Sequence, residues 1–145
     1  MSGPDVWGPH GWKFIHYITL GYPDNPSAQT KKQYYEFFDN LKNVLPCSIC
    51  SNHYKEHLKV FPLSDKVLSN KVKFIEWGIN MHNMVNKVNR KRIFTFDEGF
   101  KEIINNNDDC QSIENFLNVN SNNYINIILI TSVILFVILI FYKLK

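Results

Sequence analysis

At 145 residues the chain is long enough for one domain and an appendage. Its net charge of +3 includes Lys143 and Lys145, so the remainder is near +1, which argues against nucleic-acid binding as its main business. Three cysteines are too few for a disulfide scaffold.

Residues 6–22 read as a first helix that starts after Pro9, with Trp12, Ile15, His16 and Thr19 on one face. Gly21 and Pro23 end it. Asp24-Asn25-Pro26-Ser27 reads as a loop and N-cap. A second helix is expected over about 27–44, with Tyr34, Phe37, Phe38, Leu41 and Leu45 inward.

The third helix, about 47–60, carries the most distinctive stretch, Pro46-Cys47-Ser48-Ile49-Cys50-Ser51-Asn52-His53. Pro46 suits a helix start, because it has no N–H to leave unpaired and its φ is already helical. The cysteines then fall in the first turn, where free N–H groups and the positive end of the helix dipole stabilise a thiolate. A Cys-x-x-Cys pair so placed can close into a disulfide and reopen, which is what dithiol–disulfide exchange requires. Two other readings fit the same residues. Cys47, Cys50, His53 and His57 form C-x2-C-x2-H-x3-H, a set of zinc-ligand types on one short segment. A plain structural disulfide, or two buried thiols, is the other.

Pro62-Leu63-Ser64-Asp65 breaks the chain before a fourth helix, roughly 65–90. There Phe74, Trp77, Gly78, Met81, His82, Val85 and Val88 keep a period near 3.6, and Asn86 shares the face of His82. Gly78 inside a helix costs about 1 kcal/mol relative to Ala, which is worth tolerating where something bulky approaches. Arg90-Lys91-Arg92 is a basic run, either a solvated helix end or a phosphate contact. Phe96 to about residue 105 forms a short fifth helix, capped by Thr95 or Asp97. No β-alternating run occurs, so the class is all-α.

Residues 105–123 are Asn-rich and read as a linker, with Cys110 inside it. Residues 124–142 carry no charge and are apolar on every face. About twenty such residues cross a hydrocarbon core of roughly 30 Å, so a single membrane helix is expected. Tyr124 and Tyr142 would lie at the interfaces, and the tail 143–145 ends the chain. With no secretory leader before it, this segment reads as a C-terminal anchor that leaves residues 1 to about 120 on the cytosolic side.

Taken in order, Trp7-Gly8, Gly11-Trp12, His16, Tyr22-Pro23, Pro46-Cys47-x-x-Cys50-x-x-His53-Tyr54, Trp77, His82-Asn83-x-Val85-Asn86, Lys91 and Phe94 resemble the FAD-linked sulfhydryl oxidases of the Erv/ALR type. The resemblance covers about residues 6–100. The Asn-, Ile- and Lys-rich composition further suggests a version from a large cytoplasmic DNA virus. The resemblance implies a four-helix bundle with a short fifth helix, over residues 1–104, holding FAD at the bundle mouth. It implies that Trp12 and His16 line the flavin ring, that His82, Asn83 and Asn86 meet the adenine and ribose, and that Lys91 approaches the phosphates. Gly8, His53, Trp77, Val85 and Phe94 join the cofactor-binding set. Cys50 is implied to face the flavin and Cys47 the substrate, with electrons passing to dioxygen and yielding hydrogen peroxide. A small thioredoxin-like carrier as substrate and a homodimer are also implied. Two departures stand out. Trp77 is followed by Gly78-Ile79, so a second structural disulfide used by family members cannot form, and Cys110 alone cannot serve as a shuttle dithiol.

Overall fold

The computed structural model describes residues 3–105, together with 130–132 and 134. The expected linker, Cys110 and nearly all of the expected membrane segment 124–142 lie outside the described residues. Among the described residues no helix is long and apolar enough to cross a membrane, and there is no strand.

Within residues 3–105 five α-helices follow in order, joined by short loops. Helix α1 spans Pro4–Leu20, α2 Ala28–Val44, α3 Ser48–Val60, α4 Lys71–Val88 and α5 Phe96–Asn105. Helix α1 starts at Pro4, not after Pro9, because Pro4 at the first helical position already supplies a helical φ and loses no bond. Pro9 is carried inside the helix, where it removes one bond to the Asp5 carbonyl. Gly21 closes the helix, its N–H donating to the Tyr17 carbonyl at 3.0 Å.

Ser27 caps α2, its Oγ accepting from the Thr30 N–H at 3.1 Å. Phe38 is fully buried, with Tyr34, Leu41 and Leu45 partly buried around the same core. Phe37, expected inward, is 41% exposed. It lies about 100° around the helix from Phe38, outside the stripe the other four share.

The fourth helix begins at Lys71 and not near 65. Residues Val67–Ser69 form a separate 3-10 turn that buries Leu68. Asn70 then caps α4, its Oδ1 accepting from the Lys73 N–H at 3.0 Å. Helix α4 is buried on two faces rather than one stripe: Phe74, Trp77, Gly78 and Met81, but also Ile75 and Ile79. Val88, expected inward, is 53% exposed at the far end. Helix α1 packs on one side of α4 and α5 on another. A Cβ on Gly99 of α5 would lie 2.9 Å from Ile79 Cγ2, so the second face of α4 is covered by helix backbone at very close range.

The core is aromatic and its polar tips are satisfied. Phe38 meets Phe74 edge-on at 5.1 Å and Trp77 at 5.3 Å, the geometry that ring quadrupoles prefer. The Tyr22 hydroxyl donates to the Leu68 carbonyl at 2.9 Å, and the Tyr54 hydroxyl to that of Phe38 at 2.9 Å. A capping box starts α5: the Glu98 N–H donates to Thr95 Oγ1 at 3.3 Å, and the Thr95 N–H to the Glu98 carboxylate at 2.9 Å.

Candidate active site: a disulfide and an aromatic–histidine cluster

Cys47 and Cys50 are joined as a disulfide, with Cα atoms 5.1 Å apart. Cys47 is the N-cap of α3, in extended conformation, and the Cys50 N–H donates to its Sγ at 3.1 Å. One sulfur therefore takes the place of the side-chain oxygen that usually caps a helix, and faces the positive end of the dipole. That is the setting in which a sulfur anion, once released, is stabilised. The Ser51 hydroxyl donates to the Lys42 carbonyl, which ties the last turn of α2 to the first turn of α3.

The zinc reading finds no support. The two sulfurs are already bonded to each other, and a zinc ligand must be a thiolate. Among the described residues no three of His, Cys, Asp and Glu converge to hold a metal. His53 is exposed on α3, its ring 6.2 Å from that of His57. His57 is buried, and its Nδ1 has no partner among the described residues.

The second half of the site lies between α1 and α4. Trp12 stacks on His82, ring centroids 4.3 Å apart and planes within 6°. His16 Nε2 lies 3.0 Å from His82 Nδ1, a hydrogen bond that spans 66 residues of sequence. His16 Nδ1 is buried and has no partner among the described residues. The pattern assigns the proton to His16 Nε2, donating to His82 Nδ1: the alternative would strand a buried N–H donor, which costs about 1–3 kcal/mol. His82 then carries its own proton on Nε2. Burial, reinforced by the charge on His82, lowers His16 to about 3. Burial, reinforced by the Lys91 ammonium, lowers His82 to about 4. Both rings are therefore neutral near pH 7.

Gly78 is explained by protein rather than ligand. A Cβ there would lie 3.3 Å from Thr19 Cγ2 and 3.7 Å from His16 Nδ1, so the glycine lets α1 approach and brings His16 to His82.

The remaining expected residues divide. Asn83 is committed to the chain: its Nδ2 donates to the Phe94 carbonyl at 2.8 Å, and its Oδ1 accepts from the Phe94 N–H at 3.0 Å. The segment after α4 is thereby folded back against it. Trp77 belongs to the core, its Nε1 donating to the Phe61 carbonyl at 2.9 Å. Asn86 is buried and its carbonyl accepts from the Lys91 N–H at 2.8 Å. Val85 is partly buried and Lys91 is exposed. Gly8 has open space where a Cβ would stand. The Trp7 indole N–H is buried without a partner among the described residues. The sequence reading used Trp7 only as part of a motif, and His57 only as a metal ligand. His57 stands seven residues beyond Cys50, two turns along α3, a spacing that could have drawn it into the site.

A disulfide at a helix tip, in a helical bundle with a neutral histidine pair stacked under a tryptophan, marks a small all-helical disulfide protein. The chain matches the Erv1 / Alr family over residues 9–120, most of its length, and belongs to that family. It is 42% identical over 100 residues to a probable FAD-linked sulfhydryl oxidase of Acanthamoeba polyphaga mimivirus, covering 69% of this chain and 70% of the relative. It is 32% identical over 92 residues to an FAD-linked sulfhydryl oxidase of African swine fever virus, covering 63% of this chain and 75% of the relative. The crystal structure of the FAD-binding domain of Saccharomyces cerevisiae Erv1 shares the fold, with a TM-score of 0.64 at 22% identity, over 70% of this chain and 93% of that one.

The residues present fit a flavin nucleotide. Trp12 and His82 offer flat, half-buried faces. The buried Trp7 N–H has no partner among the described residues, and the exposed Arg90 and Lys91 bring positive charge for a diphosphate, while Arg92 is paired with Glu98.

Proposed function

We propose that this chain is an FAD-dependent thiol oxidase that forms disulfides in protein substrates. The Cys47–Cys50 disulfide at the tip of α3, in a chain of the Erv1 / Alr family, carries the reading. FAD, when bound, supplies the two-electron acceptor and passes the electrons to dioxygen, giving hydrogen peroxide.

The chain's own residues bind and position. Trp12 and His82 hold a flat ring, His16 fixes the tautomer and tilt of His82, and Lys91 meets the phosphates. Asn83 acts at one remove, pinning Phe94 and so the segment that presents Lys91. Trp77 and Asn86 support α4 from the buried side, and Gly8, His53 and Val85 complete the rim.

At the disulfide, a substrate thiolate attacks Cys47 Sγ, the Cys47–Cys50 bond breaks, and Cys50 leaves as a thiolate. A second substrate thiolate displaces Cys47 from the mixed disulfide. Substrate leaves with a new disulfide, and its two electrons rest on the protein dithiol. We assign Cys47 to the substrate and Cys50 to the cofactor. A small thioredoxin-like protein suits this direct route, since the described residues hold no second dithiol. We further propose a homodimer, and an anchor formed by residues 124–142, supported by their uncharged composition.

Purified protein supplied with FAD is expected to be yellow and to consume oxygen when given dithiothreitol. Cys47→Ala and Cys50→Ala each abolish turnover while FAD stays bound. A folded preparation that takes up no FAD overturns the proposal. The anchor is tested by flotation with phospholipid vesicles: replacing 124–142 by a Gly/Ser segment should abolish it.

A further inference from the structure

The stretch of chain that carries the disulfide is unusual in composition. One residue in five is charged overall, yet Asn43 to His53 contains no Asp, Glu, Lys or Arg. The neighbouring Lys42 has its ammonium held by Asp39 at 2.6 Å. Within the uncharged run, Val44 is 61% exposed and Ile49 is 66% exposed. Single exposed aliphatic residues are ordinary on protein surfaces. Here the two stand on either side of Cys47 in sequence, close to one disulfide. Ile49 lies between the cysteines, and Val44 is three residues before Cys47, within about 11 Å along even a fully extended chain. The bond from Ser51 to the Lys42 carbonyl holds the two helix ends together, so the pair is presented on a fixed frame.

We propose that Val44 and Ile49 form an apolar rim that selects polypeptide thiols whose cysteine is flanked by aliphatic side chains. The inference rests on the thiol-oxidase reading and adds a substrate class to it. The occupant is a reduced polypeptide, because Ile49 stands between the two cysteines of the bond that a substrate thiol must reach, and Val44 stands three residues before the first of them. With no Asp, Glu, Lys or Arg in the run, its two exposed aliphatic side chains offer apolar contact beside the disulfide.

The reaction that reports on the rim needs no flavin. A peptide dithiol reduces the Cys47–Cys50 disulfide: one peptide thiolate bonds to Cys47 Sγ as the protein S–S bond breaks, and the second peptide thiolate then releases Cys47. The peptide ends as a disulfide, the protein as a dithiol, and the two thiol protons end on Cys47 and Cys50.

The test measures this single exchange on the full chain, by alkylation and mass, with two synthetic peptide dithiols and dithiothreitol. One peptide carries Leu beside each cysteine and the other Ser. The unaltered protein should react about tenfold faster with the Leu peptide, the gain expected from burying part of one aliphatic side chain on each partner. Val44→Ser and Ile49→Ser should each erode that preference. Val44→Ser lies outside the Cys-x-x-Cys motif and should leave the dithiothreitol rate unchanged. Equal rates for the two peptides on unaltered protein would overturn the rim. So would substitutions that slow all three reductants alike, because the effect would then lie in the disulfide itself. A change from dimer to monomer on Val44→Ser, with peptide preference intact, would give the patch to a second copy instead. Rapid exchange with no oxygen uptake after FAD is added would sink the oxidase reading and leave the rim standing.

Discussion

His16 and His82 show how a polar pair can be buried without charge. Each ring lies in a half-buried or buried place, and a proton on both would set two cations about 3 Å apart. One shared proton satisfies the facing nitrogens and leaves His82 Nε2–H as a donor. His82→Phe preserves a ring for Trp12 to stack on but removes the acceptor for His16. The expected loss is about 1–3 kcal/mol of folding stability, the cost of stranding a buried donor, measured by chemical denaturation. An unchanged midpoint would mean that the His16 proton is not where the hydrogen bond places it. Trp12 and His16 were legible as one face because they are one turn apart. Their contact with His82 was not, since helix periodicity orients a face without naming what it meets. Phe37 failed for a related reason: in the run Phe37-Phe38 only one ring can enter the stripe, and composition does not say which.

The bundle is set by helix α4 and by two glycines at its contacts. Gly78 and Gly99 are both sites where helix backbone meets a side chain, Thr19 in one case and Ile79 in the other. Gly99→Ala should gain about 1 kcal/mol in helix propensity yet lose about 1–3 kcal/mol to overpacking against Ile79. The net expectation is a lower melting temperature. The same substitution in an Ile79→Ala background should be neutral or stabilising, a sign reversal that a double-mutant cycle detects. All five helices were legible from hydrophobic spacing and caps, with Ser27 and Thr95 the clearest starts. The start of α4 was not, because Leu68 continues the apolar spacing through a 3-10 turn before Asn70 begins the helix. Its second buried face was missed because the α5 contact depends on a glycine, which leaves no hydrophobic signal.

For the molecule as a whole, burying neutral imidazoles links folding to pH. His16 and His82 take up protons far less readily in the folded chain than their ordinary value of 6.5. His57 is lowered too, by burial and then by the charge of His53. As pH falls below about 6.5 the unfolded chain binds protons first, so stability is full above that value and declines below it. The slope approaches about 1.4 kcal/mol per pH unit for each neutral histidine. The urea midpoint should therefore fall between pH 6.5 and 5, a window above ordinary carboxylate titration. A flat midpoint across it would argue that the pair is hydrated and free to charge. The described residues bear out an all-helical class, and the family match extends through residue 120.

Arg90 follows the last residue that caps α4, and it is the described non-glycine residue with positive φ, at 54°. Its N–H donates to the Lys87 carbonyl at 3.2 Å and that of Lys91 to Asn86 at 2.8 Å, the double closure that usually ends on glycine. An L-residue pays about 1–2 kcal/mol for that left-handed twist. Arg90→Gly should thus yield a more heat-resistant protein, read by calorimetry. If the hardier variant also loses its grip on FAD, the guanidinium has been retained for the nucleotide at the expense of robustness; if it binds as before, the tension at this corner is idle and can be engineered away.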